Sequence, residues 1–276
     1  MFLRAVYCLV ILMLAIGCGP RSDQASNDLL QQLQERGSVR VGVKLDTPPF
    51  GFPMAGDPAG FDIDIITSVM ARLGIDDITM VPVTSANRMQ TLLDGEVDIL
   101  IASMTITRSR DRMVDFTVPY FQDGQGLLVA ADSDLQGVTD LAGRRVGVSA
   151  GSTSLHNLRQ VAPMAEVVEG EDFTALVQAL ADGSVDAITT DTTILIGLRC
   201  ELPGGAEAWR LAGEPFSTEP YGIALPKNQS NLRAALNDAL MAMWEDGDYQ
   251  MLYDSWFGAH TPFHGHVEFG MTPYPR

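Results

Sequence analysis

The segment LDGEVDILIAS at residues 93–103 recurs in outline as ADGSVDAITTD at residues 181–191. In each copy an acidic residue and a glycine follow a helix-like pattern, and an apolar run after them predicts a strand. The same transition from helix to strand in both halves of the chain therefore predicts two similar lobes.

Strand and helix patterns alternate around both copies. Valines at every second position of SVRVGVK predict a first strand, and the apolar residues of GFDIDIITSVMARLG fall on one helical face. Further strands are expected at 78–83, 97–102, 145–149, 165–168, 185–189 and 221–225, and helices at 85–93, 154–161, 173–181 and 230–257. This alternation predicts an α/β fold with largely parallel sheets covered by helices.

Two crossings of the chain between the lobes are expected. The amphipathic helices of 230–257 need a lobe to cover, and the strand before them returns the chain to the first lobe. We therefore predict two Rossmann-like lobes joined by two hinge strands, with a ligand cleft between them. The hinge strands are placed near 126–131 and 216–223. The lobe boundaries are 38–128 with 221–258 for lobe 1, and 129–220 for lobe 2.

The amino-terminal residues resemble an export signal. Arg4 precedes an apolar run that ends at Gly17 and is too short to span a bilayer. Small residues before Cys18 are typical of a bacterial lipobox, which predicts a signal peptide at 1–17, lipidation of Cys18 and a flexible tether at 18–37. The protein would then face the periplasm or the cell exterior on a lipid anchor. Ordinary cleavage and secretion is the alternative.

Composition excludes several other classes of protein. With 46% hydrophobic residues the chain can form a large core, and its net charge of −17 argues against nucleic acid as a partner. We expect a monomer without cofactor. Cys200 has no cysteine partner in the processed chain, and an exposed extension at 259–276 carries His260, His264 and His266, for which we predict no metal.

Candidate ligand-binding residues follow the predicted strands. In open α/β sheets, ligands bind beyond the carboxyl ends of the strands. The loops at those ends contain Lys44, Ser103, Thr105, Arg110, Ser152, Thr153, Thr190 and Asp191.

Three features of these loops suit an α-amino acid. Arg110 can bind a carboxylate with two parallel hydrogen bonds, and Asp191 can receive an ammonium group. The AGSTS segment at 150–154 opens a helix whose free N–H groups suit an anion. Each feature also has an ordinary explanation, as a solvated surface charge for Arg110 and as a helix cap for the serines and threonines.

Several segments resemble one known family. NRMQTLLDGEVDILIASMTITRSRDRMVDFTVPYFQDGQGLLV, GFDIDI, DLAGRRVGVSAGSTS and PYGIALPKNQSNLRAALNDALMAMWEDGDYQMLYDSWFG are similar to the bacterial family 3 periplasmic solute-binding proteins, the receptors of polar amino acid ABC transporters. The resemblance covers about residues 39–258. It implies the type 2 periplasmic binding protein fold, an amino acid ligand and a membrane permease as partner.

The resemblance also implies roles for individual residues. Arg110 matches the arginine that binds the ligand α-carboxylate, together with Thr105 and Thr153. Asp191 matches the acid that pairs with the α-ammonium group, and Ser103 lies nearby in the family pattern.

The specificity residues implied by the resemblance are Lys44 and Arg88. The opening VGVKLDTPPFGF, with SANR and TTDTTILIGL, looks like the glutamate and aspartate branch, in which cations at these positions meet the side-chain carboxylate. A solvent-exposed Lys44 at a strand end is the alternative. Phe50 and Phe61 either pack beside the ligand or belong to the core.

Two other functions remain as alternatives. A few family members are dehydratases of small acids, but the candidate loops contain no histidine or cysteine to act as a general acid or base, so we expect no enzyme activity. The protein could instead present its closed, ligand-bound form to a separate sensory receptor.

Overall fold

The computed structural model describes residues 28–264. Lobe 1 begins with α1 (Leu29–Arg36), β1 (Ser38–Val43), β2 (Phe52–Met54), β3 (Asp57–Ala59), α2 (Phe61–Arg72), β4 (Asp77–Pro82), α3 (Arg88–Leu93), β5 (Ile99–Leu100), α4 (Arg108–Asp111) and β6 (Asp115–Phe116). The strand β7 (Phe121–Asp123) then leaves this lobe.

Lobe 2 comprises β8 (Gln125–Ala130), a 3₁₀ turn (Val138–Asp140), β9 (Arg145–Ser149), α5 (Ser154–Val161), β10 (Glu166–Gly170), α6 (Phe173–Ala181), β11 (Ala187–Asp191), α7 (Thr192–Glu201), α8 (Gly205–Ala208) and β12 (Trp209–Leu211). The chain returns through β13 (Glu219–Tyr221) to lobe 1, where β14 (Ala224–Leu225), α9 (Ser230–Asp246) and α10 (Asp248–Phe257) complete the fold.

Each lobe contains a five-stranded sheet. The strand orders are β4-β1-β5-β14-β6 in lobe 1 and β10-β9-β11-β8-β12 in lobe 2. The first three strands of each order are parallel. The strands that follow the two hinge crossings, β8 and β14, pair antiparallel with β11 and β5. The predicted two-lobed α/β fold is therefore confirmed, and the carboxyl ends of both sets of parallel strands face the cleft.

The hinge consists of β7 and β13, which pair antiparallel from Phe121 opposite Tyr221 to Asp123 opposite Glu219. The second crossing lies inside the expected range 216–223. The first differs from the expectation, because the apolar run Gln125–Ala130 pairs with β11 as a buried central strand of lobe 2. Lobe 1 accordingly ends before β7, and the boundary we placed at residue 128 is too late.

The repeated sequence segment has a structural counterpart in each lobe. Asp98 accepts hydrogen bonds from the backbone N–H of Arg40, at 2.8 Å, and from its guanidinium, at 2.8 Å. Asp186 accepts the same two bonds from Arg145, at 2.8 and 2.6 Å. Each aspartate follows the valine of the repeated segment and stands just before a strand. Asp98 therefore joins the start of β5 to β1, and Asp186 joins the start of β11 to β9 in the same way.

Part of the expected tether is a helix. Asp28 caps α1 by accepting from the N–H of Leu30, Leu33 is buried, and Arg36 bonds Asp98 at 2.6 Å. These contacts bind α1 to lobe 1, so residues 28–37 are folded and the tether expectation is wrong for them. Residues 1–27, with the proposed signal peptide and Cys18, lie outside the described residues.

The start of the expected carboxyl-terminal extension also packs on the lobes. The ring of Phe263 lies 6.4 Å from the rings of Phe52 and Trp256, and His264 contacts the carbonyl of Phe257. Phe263 is therefore less exposed than predicted, His260 and His264 are exposed as expected, and residues 265–276, including His266, are not described. Within residues 28–264, no helix combines the length and apolarity needed to cross a membrane.

Candidate ligand-binding site

A polar cavity lies between the lobes, at the carboxyl ends of β1, β5 and β11 and the amino ends of α5 and α6. Its volume of about 20 Å³ leaves room for about one water molecule, so an amino acid can enter only when the lobes separate. Its lining contains eight of the residues predicted from the sequence. The full lining is Lys44, Ser85, Arg88, Ser103, Thr105, Ser152, Thr153, Ser154, Phe173, Thr190, Asp191 and Ile194.

Arg88 is a buried cation that forms no ion pair with any carboxylate of residues 28–264. Its Nη1 donates to the carbonyls of Ala102 and Ser103, the latter at 3.3 Å, while its Nε has no hydrogen bond partner in the described part of the chain. Burial lowers its pKa, although a guanidinium remains charged at neutral pH. An unpaired buried donor on a positive group is an energetic cost that an anionic ligand would relieve.

Lys44 is buried beside Arg88 but has partners. Its Nζ donates to Ser85 Oγ at 3.0 Å, lies 3.3 Å from Asp46 Oδ1, and sits 4.1 Å from the centre of the Phe173 ring. Burial lowers the pKa of Lys44 to about 8, because desolvation outweighs the attraction of Asp46. This lysine is therefore not a solvated strand-end residue, which was the alternative left open by the sequence.

Arg110 forms the rim of the cavity. Its Nη1 donates to the carbonyl of Thr105 at 2.9 Å, and its Nη2 reaches across the cleft to the carbonyl of Gly151 at 3.1 Å. It faces a larger outer cavity of about 760 Å³, which shares Thr105, Ser152 and Thr153 with the inner cavity. Burial lowers its pKa, and the nearby carboxylate of Glu219 opposes that shift.

Asp191 is a buried carboxylate whose environment favours a cationic partner. Burial, followed by the charges of Asp123 and Glu219, raises its pKa well above the usual range. Asp191 occupies the cap position of α7, yet Asp123 accepts the N–H of Thr193 there, at 2.9 Å. Within the described residues the side chain of Asp191 accepts a hydrogen bond only from the hydroxyl of Tyr221, so Asp191 retains acceptor capacity.

Glu219 connects both lobes with the hinge. Its Oε2 accepts the hydroxyls of Thr105, at 2.7 Å, and Thr153, at 2.9 Å, while its Oε1 accepts Asn157 and Ser217, each at 2.7 Å. Both threonine hydroxyl protons are thus directed at Glu219. Towards a ligand these hydroxyls can only accept hydrogen bonds.

The amino end of α5 supplies backbone donors to the cleft. Ser152 donates its hydroxyl to the carbonyl of Ser149 at 2.6 Å and accepts the N–H of Ser154 at 3.3 Å, whereas the side chain of Thr153, at the cap position, accepts no N–H of the first turn of α5. Gly151, at φ +74°, lies so close to lobe 1 that a Cβ there would stand 2.5 Å from the carbonyl oxygen of Ser85. A side chain at position 151 would therefore obstruct closure.

Phe50 and Phe61 belong to the core and not to the ligand site. Both are fully buried, and the centres of their rings lie 6.3 Å apart. Both rings also pack against Phe121 and Phe257, and Phe50 packs against Tyr221, with centroid distances of 4.9–6.0 Å. Neither lines the cavity. Their inclusion among the ligand-binding residues is corrected for this reason.

Four important residues escaped the sequence analysis. The helix expected from residue 85 begins at Arg88, with Asn87 at the cap position of α3, and Ser85 lines the cavity. Phe173, Asp46 and Glu219 lie on elements that meet only when the lobes close. Only for Glu219 did the sequence offer a signal, because an acidic residue within a predicted hinge strand is close to both lobes. Among residues 28–264, no group of histidine, cysteine and acidic side chains has the arrangement of a metal site.

Known proteins resemble this chain over most of its length. Residues 39–259 match the model of the bacterial extracellular solute-binding proteins, family 3. The glutamine-binding protein GlnH of an ABC transporter in Bacillus subtilis is 39% identical over 256 residues, covering 90% of this chain and 92% of that protein. The glutamate-binding protein GluB of Corynebacterium glutamicum is 34% identical, with coverages of 85% and 82%. A solved ancestral arginine-binding protein bound to glutamine is 38% identical, with a TM-score of 0.77 and coverages of 81% and 99%.

Proposed function

The chain belongs to family 3 of the bacterial extracellular solute-binding proteins, and on that basis we propose that it captures glutamate or aspartate for an ABC importer. The observation that carries this ligand assignment is the buried guanidinium of Arg88, whose Nε has no partner and which has no carboxylate within ion-pair distance among the described residues. A ligand side-chain carboxylate would supply both the charge and the missing acceptor.

The α-groups of the ligand have separate partners in this proposal. The α-carboxylate binds Arg110 and the backbone N–H groups at the start of α5. The α-ammonium group binds Asp191 and the hydroxyl oxygen of Thr105, which can only accept because its proton is given to Glu219. The same restriction leaves Thr153 its N–H, and not its hydroxyl, as a donor to the carboxylate.

The charge balance around the ligand side chain favours an acid. With Arg110 and Asp191 assigned to the α-groups, Lys44 and Arg88 remain, and Asp46 offsets one of these two cations. The net charge near the side chain is therefore about +1, which a carboxylate neutralises and an amide does not.

Glutamine is the second candidate. Lys44 already has Asp46 and Ser85 as partners, so it does not require a ligand carboxylate. A relative 39% identical to the chain is a glutamine-binding protein, which gives this candidate independent support.

Calorimetric titration with L-glutamate, L-aspartate, L-glutamine and L-arginine tests the assignment. We expect an acid to bind with a dissociation constant in the micromolar range or below, about −8 kcal/mol or stronger. Tight binding of glutamine with no binding of either acid would refute the acidic ligand. Arg88→Met should weaken glutamate far more than glutamine, whereas Arg112→Met, on the exposed outer rim, should leave both dissociation constants unchanged.

Anchoring and partner are proposed together. We propose that Cys18 carries lipid and holds the protein outside the cytoplasm, where its closed form delivers ligand to a membrane permease. Replacing Cys18→Ala should release the protein from the membrane fraction into the soluble one. Retention of the variant in the membrane would show that another element anchors it.

We propose binding without catalysis. Among residues 28–264, no histidine and no cysteine lines the inner cavity, and its acid Asp191 is assigned to the ammonium group. Incubation with prephenate or arogenate should therefore give no product, and turnover of either compound would overturn this assignment.

A further inference from the structure

Ser103, in the wall of the cavity, has a strained backbone. Its φ is +46°, in the left-handed region that is unfavourable for a residue with a Cβ. The strain persists only where surrounding contacts hold it, so the neighbours of Ser103 identify what shapes this part of the site.

The backbone is fixed on both sides of this turn. Before it, the N–H of Ile101 donates to Gly42 of β1 at 3.0 Å. After it, Met104 accepts from Gly222 at 3.1 Å, beside the hinge strand. Ser103 therefore redirects the chain from the sheet of lobe 1 to the hinge. Its carbonyl receives Arg88, and Thr105 follows two positions later in the cavity wall.

Asp62 holds this turn through hydrogen bonds to Ser103. It is buried in the first turn of α2, and its Oδ2 accepts the N–H of Ser103 at 2.8 Å and the hydroxyl of Ser103 at 3.3 Å. Its Oδ1 accepts the hydroxyl of Tyr120 at 2.7 Å. Asp62 does not line the cavity.

We propose that Asp62 is a positioning residue of the ligand site, which keeps Ser103 in its left-handed conformation and thereby places Arg88 and Thr105. This inference rests on the proposed function, since it concerns the same site. What the site requires of Asp62 is a hydrogen bond acceptor for Ser103 and not a negative charge. Asparagine can supply that acceptor and donate its amide to Tyr120, whereas alanine cannot.

The substitution Ser103→Gly distinguishes two roles of Asp62, the positioning of Ser103 and a general contribution to the stability of the fold. Glycine adopts positive φ without steric cost, so it no longer needs Asp62 to hold it. The experiment compares the wild type, Asp62→Ala, Asp62→Asn, Ser103→Gly and the double variant Asp62→Ala/Ser103→Gly. Calorimetry with L-glutamate and, in parallel, L-glutamine gives the dissociation constants, and thermal melting checks that each protein is folded.

We expect Asp62→Ala to weaken binding about tenfold or more in the Ser103 background and less than about threefold in the Gly background. Asp62→Asn should stay within about threefold of the wild type. Equal losses in both backgrounds, or no loss in either, would overturn the proposal. If Asp62→Ala does not fold, folding of the double variant supports the proposal, and failure of both overturns it. Binding of glutamine without glutamate would refute the proposed ligand alone, because the comparison of backgrounds is then made with glutamine.

Discussion

Lys44 makes the proposed preference for an acid dependent on pH. Its Nζ is buried between Ser85 and the ring of Phe173, and desolvation lowers its pKa to about 8. Only the protonated ammonium attracts a ligand carboxylate, so glutamate affinity should be almost fully present at pH 7 and decline as pH rises through about 8. A neutral amide side chain lacks this dependence.

The size of the effect follows from the protonated fraction. With a pKa of about 8, Lys44 is about 90% protonated at pH 7 and about 10% protonated at pH 9. Glutamate should therefore bind about tenfold more weakly at pH 9, a loss of about 1.4 kcal/mol. Loss of the α-ammonium proton weakens both ligands, and it acts identically in the wild type and in a variant of Lys44, so the ratio of the two dissociation constants compared between these proteins isolates the contribution of Lys44.

Calorimetric titrations of both ligands between pH 7 and 9 measure this ratio. Lys44→Arg provides the matched control, since arginine keeps its charge over this range. In that variant the ratio should become independent of pH, and any remaining slope belongs to other groups. A ratio that is constant in the wild type, or a slope that persists unchanged in Lys44→Arg, would show that Lys44 does not act on the ligand side chain.

Three further predictions concern the rim, the closure and the lobes. Arg110→Ala should weaken glutamate and glutamine equally, by about 2–4 kcal/mol in calorimetry, because it removes the partner of the shared α-carboxylate; selective loss of one ligand would place Arg110 at the side chain instead. Gly151→Val should stop closure against Ser85 and abolish ligand-induced changes in small-angle scattering, while an unaltered change would mean that the lobes tolerate the side chain. Asp98→Ala should lower the free energy of unfolding in urea titrations by about 2 kcal/mol, and Asp186→Ala by about 1 kcal/mol. The larger effect is expected at Asp98 because it is the more buried and also binds Arg36. A larger loss of stability in Asp186→Ala would contradict this reasoning.

The sequence predicted those parts of the fold that depend on local pattern. The elements at 145–149, 154–161 and 173–181 were placed with their observed bounds, because period and turn residues suffice there. The helix at 29–36 had signals too, with Asp28 as cap, Gly37 as terminator and leucines at helical spacing, but they were read as a tether. The hinge at 121–123 is only three residues long, and the apolar strand that follows it drew the boundary too far along the chain.

The sequence predicted those residues of the candidate site whose position depends only on the end of a strand. Lys44 and Asp191 follow or end their strands directly, and the resemblance to a family added Arg88 on its helix. Asp46 and Phe173 could not be recognised, because their contact across the cleft, at 3.0 Å between Asp46 Oδ2 and the Phe173 N–H, joins residues far apart in sequence. Phe50 illustrates the opposite error, since position near a cleft does not reveal that a ring points into the core.

The paired contacts of Arg40 with Asp98 and of Arg145 with Asp186 lie at the amino ends of the strands, at the opposite edge of each sheet from the ligand. Each lobe thus secures its own strand order with groups that the ligand never meets. A substitution at the cleft end of a strand therefore leaves in place the arginine–aspartate contact that holds the opposite end of the sheet. Redesign of the ligand preference at one end of the sheet can thus leave the contacts at the other end untouched.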